Sequence, residues 1–214
     1  MVELLNIDCM EYMATLPDKA FDLCICDPPY GRRCDIQTGG GIETKSIVKF
    51  HQLYTENNKQ WNVAPDKKYF TELFRVSKNQ IIWGGNYFQL QPCRCFVVWD
   101  KVRSIENFSQ VEMAWTSFDS PALLYRFCGN GGFILAPRDK KIHPTQKPVS
   151  LYEFLLYKFS NPKQRILDTH LGSGSSAIAA HYFGCDFVGC EIDESYFLAA
   201  KERFDRETRQ VAMF

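Results

Sequence analysis

The residues Asp27-Pro28-Pro29-Tyr30 follow directly on an apolar run, Phe21-Asp22-Leu23-Cys24-Ile25-Cys26. Proline cannot extend a sheet ladder, and a carboxylate at a strand tip is costly to bury without a partner. The four residues therefore read as a rigid platform presenting one carboxylate and one aromatic ring. A second stretch able to do chemistry is ILDTHLGSGSSAIAAHYFGCDFVGCEID, residues 166–193. It reads as strand, glycine turn, helix, strand and acid. Gly172 and Gly174 let the backbone approach a ligand and let the helix pack close. Glu191 lies 19 residues after Gly172, at the end of the next strand. From that position a carboxylate accepts hydrogen bonds from a ribose in nucleoside-binding α/β folds. Only two of the three glycines of the dinucleotide fingerprint are present, which speaks against a dehydrogenase. A tight βα turn without a ligand is the plainer alternative.

The elements that must position these groups follow from periodicity. Apolar runs alternate with helix-period segments, the pattern of an α/β protein with a mostly parallel sheet. Strands are expected at Glu3–Ile7, Leu23–Cys26, Gln80–Trp83, Cys95–Trp99, Val111–Trp115, Arg165–Leu167 and Phe187–Cys190. Helices are expected at Cys9–Thr15, Lys67–Val76, Ser150–Phe159, Ser175–Phe183 and Ser195–Gln210. Gly184 sits where a helix stops, and Asp193 or Glu194 suits the start of the last helix. Two stretches are irregular. Residues 31–65 are polar, contain Gly39-Gly40-Gly41 and are too long for a plain connection, so a mobile functional loop is expected. The other is 118–145, with CGNGG at 128–132 and PRDKK at 137–141.

Composition bounds the answer further. A chain of 214 residues with 45% hydrophobic content suits one domain with a sizeable core. Its 25 basic and 25 acidic side chains cancel, so any nucleic-acid contact must rest on local patches. Such a patch is expected between Arg126 and Lys147, where Arg126, Arg138, Lys140, Lys141 and Lys147 face one acid, Asp139. Arg32, Arg33, Lys45 and Lys49 either touch phosphates as well or are simply solvated. No apolar run reaches the length of a membrane span, and the opening MVELLNIDCMEYM lacks a basic leader region. The nine cysteines include Cys24 and Cys26 as small hydrophobes, and Cys93 and Cys95 without a second pair at zinc spacing. A reduced, intracellular chain is the simpler reading. Trp61, Trp83 and Trp115 read as core.

Taken together, DPPY, DTHLGSGS and HPTQKP (residues 143–148) resemble the S-adenosylmethionine-dependent amino-methyltransferases of DNA. The order, catalytic motif first and cofactor motif last, is that of the β arrangement in this family. NIDCMEYMATLPDKAFDLCICDPPY, WGGNYF and WDK match the layout too, so the resemblance covers nearly the whole chain. Two departures stand out. The family usually carries Pro-Phe where this chain has Thr169-His170. The region before HPTQKP, where the family places target recognition, is short here.

The resemblance implies a single methyltransferase domain over 1–214: a circularly permuted, Rossmann-like class I fold of seven strands, mostly parallel with one antiparallel strand. Target recognition would lie at about 117–146. The tips carrying Asp8, Asp27, Asp168 and Glu191 would share the carboxyl edge of the sheet, where ligands bind. Catalysis would fall to Asp27, Pro28, Pro29 and Tyr30. The Asp27 carboxylate and the Pro28 carbonyl would accept the two N–H bonds of an exocyclic amine, and Tyr30 would stack on a base turned out of the duplex. S-adenosylmethionine, with no metal, would lie against Asp8, Cys9, Lys147, Asp168, His170, Leu171, Gly172, Ser173, Gly174, Ser175, Glu191 and Ile192. Asp8 is equally a helix cap. Lys147 touches the methionine end of the cofactor, shapes the pocket through Pro148, or is a solvated lysine at a helix start. The expected reaction is N6-adenine methylation of double-stranded DNA in the cytoplasm of a bacterial or phage-infected cell, by a monomer or a homodimer. N4-cytosine methylation is the alternative acceptor. A non-catalytic nucleic-acid-binding domain is the rival of another class.

Overall fold

The computed structural model describes residues 1–31, 63–102, 109–127 and 141–209. Most of the expected loop at 31–65 lies outside the described residues, with Arg32, Arg33, Lys45, Lys49 and Trp61. So do residues 128–140 of the expected target-recognition region.

Among the described residues, eight strands form one sheet. They are β1 (Val2–Asn6), β2 (Phe21–Cys26), β3 (Ser77–Trp83), β4 (Phe96–Asp100), β5 (Val111–Thr116), β6 (Leu123–Arg126), β7 (Arg165–Asp168) and β8 (Asp186–Glu191). Their spatial order is β1-β8-β7-β2-β3-β5-β4-β6. Only β5 runs against its neighbours, pairing antiparallel with both β3 and β4. The mostly parallel sheet with one reversed strand is as expected. The eighth strand is β6, which adds parallel to β4 with Leu123 opposite Val97. Four residues inside a stretch rich in turn-forming types carry little periodic signal, so β6 was not legible beforehand.

Among the described residues, five α-helices cover the sheet: α1 (Cys9–Ala14), α2 (Lys67–Val76), α3 (Val149–Phe159), α4 (Ser175–Phe183) and α5 (Glu194–Arg209). Strand alternation sorts the core into two layers. Leu23, Ile25, Ile81, Trp83, Ile166 and Phe187 pack with Leu151, Leu155, Ala177 and Ala200 from α3, α4 and α5. Cys24, Cys26, Ile82, Leu167 and Val188 pack with Met13, Tyr69 and Leu73 from α1 and α2. Helix α2 shows why: Tyr69, Leu73 and Val76 recur on one face and are buried, while Asp66 caps its start by accepting from the Tyr69 amide at 3.1 Å. Helix α4 begins after Gly174 and ends at Gly184, both at positive φ. Trp83 and Trp115 lie in the core, as expected. The seven cysteines among the described residues are free thiols.

Neighbouring strands β7 and β2 are flanked by helices on opposite faces of the sheet. Helix α4 follows β7 on one face of the sheet, and α2 precedes β3 on the other. In open α/β sheets, ligands bind at the carboxyl ends of the strands where the covering helices change face in this way.

Candidate active site

Four acids stand at the tips of four successive parallel strands. Asp8 follows β1, Glu191 ends β8, Asp168 ends β7 and Asp27 follows β2. Register makes this placement, because β1, β8, β7 and β2 all run the same way.

At the β2 tip, Pro28 is buried and Asp27, Pro29 and Tyr30 are half-buried. The Tyr30 hydroxyl donates to Asp27 Oδ1 at 2.7 Å. Its ring lies 4.8 Å from that of Tyr87 and 6.1 Å from that of Phe88. The two glycines of WGGNYF make room for this aromatic group. Gly84 is at φ 68°, and a Cβ there would fall 2.1 Å from the Tyr30 ring. A Cβ on Gly85 would meet that of Trp115 at 2.3 Å. Burial, with the Asp27 and Glu112 carboxylates close by, pushes the Tyr30 hydroxyl far above the ordinary phenol range, so it donates and stays neutral.

Lys147 is not the solvated lysine of one reading: it is 4% exposed. Its ammonium is paired with Asp27 Oδ2, lies 3.2 Å from Glu112 Oε2 and sits 5.2 Å from the centre of the Trp83 ring. Burial disfavours the ammonium, but the two carboxylates outweigh it and hold the group above its ordinary value. Glu112, on β5, is paired through its other oxygen with Lys101 at 2.5 Å. Burial pushes that carboxyl up, and the two lysines overcome it, bringing Glu112 down to about 2. Glu112 and Lys101 were missed as site residues. The signal was an acid inside the apolar run Val111–Thr116, facing the WDK lysine.

The second half of the site surrounds the glycine turn. Asp168 is 1% exposed, and its Oδ1 accepts from the His170 amide at 3.0 Å. Its Oδ2 accepts from the Ser176 hydroxyl at 2.5 Å. Burial raises this carboxyl to about 7 against the pull of those hydrogen bonds. Glu191 accepts from the amides of Gly172 at 2.8 Å and Asp193 at 3.0 Å, which fixes its plane and leaves lone pairs on both oxygens. Gly172 and Gly174 have φ of 54° and 73°, where a side chain would be strained. Leu171 and Ser173 are buried, and the Ser175 hydroxyl donates to the Lys147 carbonyl at 2.7 Å. Arg203, buried on α5, reaches under the turn and donates to the Ser173 carbonyl at 2.9 Å. Sequence reasoning missed it because an arginine in a charged helix reads as solvated.

The remaining expected residues are also placed here. Asp8 caps α1, its Oδ1 accepting from the Met10 amide at 2.7 Å. Cys9 follows with its thiol pushed up to about 12, mainly by burial. His170 packs edge-on to Tyr69 at 5.5 Å and shares a 3.0 Å hydrogen bond with Thr169, whose hydroxyl also meets that of Tyr69 at 2.7 Å. Burial lowers His170 to about 4, so its ring is neutral near pH 7. Ile192 is exposed beyond Glu191.

The donor set suits S-adenosylmethionine. Asp8, Glu191 and Asp168 are acceptors at three adjacent tips, and that molecule offers donors to match: an adenine amine, two ribose hydroxyls and an ammonium. The Gly172–Gly174 turn presents backbone rather than side chain to such a ligand.

The chain is similar to known DNA methylases in sequence and in fold. Residues 42–202 match the N6/N4 methyltransferase family, described as DNA methylase. The type II methyltransferase M.HinfI of Haemophilus influenzae is 25% identical over 246 residues, covering 94% of this chain and 67% of its own. The S-adenosyl-L-methionine complex of TTHA0409 from Thermus thermophilus superposes with a TM-score of 0.60 at 19% identity, over 100% of this chain and 98% of that one. The cytosine-N4-specific PvuII DNA methyltransferase does so with a TM-score of 0.59 at 14% identity, over 97% and 90%.

Proposed function

The chain belongs to the DNA methylase family, and on that premise we propose that it transfers a methyl group from S-adenosylmethionine to the N6 amine of an adenine turned out of double-stranded DNA. The observation that carries this reading is the Asp27 carboxylate, held by Tyr30 and Lys147 at a strand tip beside the glycine turn.

An exocyclic amine is a poor nucleophile because its lone pair is spread into the base ring. Asp27 and the Pro28 carbonyl accept its two N–H bonds, which favours a pyramidal nitrogen and aims the lone pair outward. Proline fixes φ and so the carbonyl direction. The ring of Tyr30, with Tyr87 beside it, gives the displaced base a stacking surface worth about 1–3 kcal/mol. When bound, S-adenosylmethionine supplies a methyl group already activated on a sulfonium. The new N–C bond takes the nitrogen lone pair, and the electron pair of the broken S–C bond stays on sulfur. Positive charge develops on the nitrogen, where the Asp27 carboxylate stabilises it before a proton departs. Asp8, Glu191 and Asp168 with the 171–175 turn would hold the donor so that its methyl group can meet the amine.

Adenine is favoured because an acid heads the DPPY motif, as it most often does in the adenine enzymes this chain resembles. N4-methylation of cytosine would use the same geometry. The test uses purified protein, labelled S-adenosylmethionine and unmodified mixed-sequence double-stranded DNA, digested to nucleosides. Label in N6-methyladenosine is expected. Label in N4-methylcytosine would overturn the base assignment, and cofactor binding without label would overturn the reaction.

A further inference from the structure

Lys147 is an ammonium buried between two carboxylates, a costly arrangement unless both are used. With Asp27 it makes a close charged pair. With Glu112 it makes a 3.2 Å ion pair, longer than its contact with Asp27, and Glu112 Oε2 has no other polar partner among the described residues. A buried acceptor that loses its partner costs stability, and native proteins rarely leave one unmet. Here it lies within reach of an ammonium with three donors. Lys101 holds the other oxygen of Glu112 from the solvent side, 2.5 Å away, with a side chain 21% exposed. The four groups alternate in charge from the surface to the reacting carboxylate: Lys101, Glu112, Lys147, Asp27.

We propose that Glu112 is a positioning residue for methyl transfer: its Oε2 shares the Lys147 ammonium with the Asp27 carboxylate and holds it in place when the substrate amine binds. Lys147 then keeps its charge beside Asp27 without occupying the lone pairs that the amine needs. Without Glu112 the ammonium has one anionic partner and competes with the substrate for it. This inference rests on the methyltransferase reading. Glu112 touches neither substrate nor cofactor; it acts through Lys147.

The experiment compares the full-length protein with Glu112→Gln, Lys147→Gln and the double variant. Methyl transfer is followed on mixed-sequence double-stranded DNA, and S-adenosylmethionine affinity is measured by calorimetry. Glu112→Gln is expected to lower kcat about tenfold to a hundredfold, the scale of a small misplacement of a reacting group. Its S-adenosylmethionine affinity should stay within about threefold of the original, since a positioning loss falls on kcat. The double variant should be no slower than Lys147→Gln, because groups acting as a unit are not additive. Unchanged kcat in Glu112→Gln, a matching loss of cofactor affinity, or additive losses would overturn the proposal. Should Glu112→Gln fail to fold, Lys101→Met tests the network from its exposed end. A kcat lowered about threefold to tenfold at unchanged cofactor affinity is expected there, and the original kcat would overturn the proposal. If the unaltered protein labels no nucleoside, the functional reading fails with it. If it labels DNA and the variants match it, only the role of Glu112 fails.

Discussion

Asp27 already holds two partners before a substrate arrives, the Tyr30 hydroxyl and the Lys147 ammonium. Both are donors, so the carboxylate stays an acceptor and its orientation is set in advance. Glu191 is fixed in the same manner by two backbone amides, at the end where we propose the cofactor lies. Replacing Glu191 with Gln removes a charge-assisted acceptor, worth about 1.5–3 kcal/mol. S-adenosylmethionine affinity measured by calorimetry should therefore fall about tenfold to a hundredfold. Unchanged affinity would remove Glu191 from the cofactor site. His170 gives a prediction in pH. Burial lowers its ring from 6.5 to about 4, so unfolding takes up a proton there between those values. The stability it contributes is full above pH 6.5 and is lost as the pH falls towards about 4. Asp168, raised by burial from 3.8 to about 7, works in the opposite sense, losing stability as the pH rises through that window. The contrast between the unaltered protein and His170→Asn isolates the histidine. The variant's urea midpoint should fall less on acidification below pH 6.5, and parallel curves would contradict the buried, neutral ring.

At the scale of elements, the turn after β3 decides where Tyr30 can stand. Gly84 has positive φ and no room for a Cβ against the Tyr30 ring. Gly84→Ala should cost at least about 1–2 kcal/mol from the left-handed backbone alone. It should also lower kcat more than cofactor affinity, since the displaced ring lies on the substrate side. An equal loss of both would place Tyr30 elsewhere in the mechanism. The elements that carry the acids were legible in the sequence, because buried parallel strands read as apolar runs ending at glycine, proline or an acid. The Asp8, Asp27, Asp168 and Glu191 tips follow from such runs. The Lys101–Glu112–Lys147 network was not legible. Its members come from the residue after β4, from β5 and from the segment before α3, and the reversal of β5 between β3 and β4 sets Glu112 against Lys147. Strand β6 escaped for a different reason: its four residues derive their order from β4 rather than from their own periodicity.

At the scale of the molecule, the formal charge of zero leaves DNA attraction to local basic groups. Binding should still weaken with salt, because each neutralised phosphate releases counterions. Raising salt from about 50 to 200 mM should lower DNA affinity at least about tenfold, while cofactor affinity, set by buried groups, changes far less. Equal salt dependence of the two would contradict a phosphate-contacting surface. On the reading proposed above, donor and acceptor meet at the carboxyl ends of β7 and β2, beside Asp168 and Asp27. The most direct test of that claim follows methyl transfer in a single turnover by the unaltered protein and by Asp27→Asn, with cofactor affinity measured on the same samples. The account predicts label in DNA adenine from the unaltered protein. In the variant it predicts a loss of about a hundredfold to a thousandfold with S-adenosylmethionine still bound, the scale of removing one preorganised electrostatic partner. Equal rates, or a variant that fails because it no longer binds the cofactor, would contradict it.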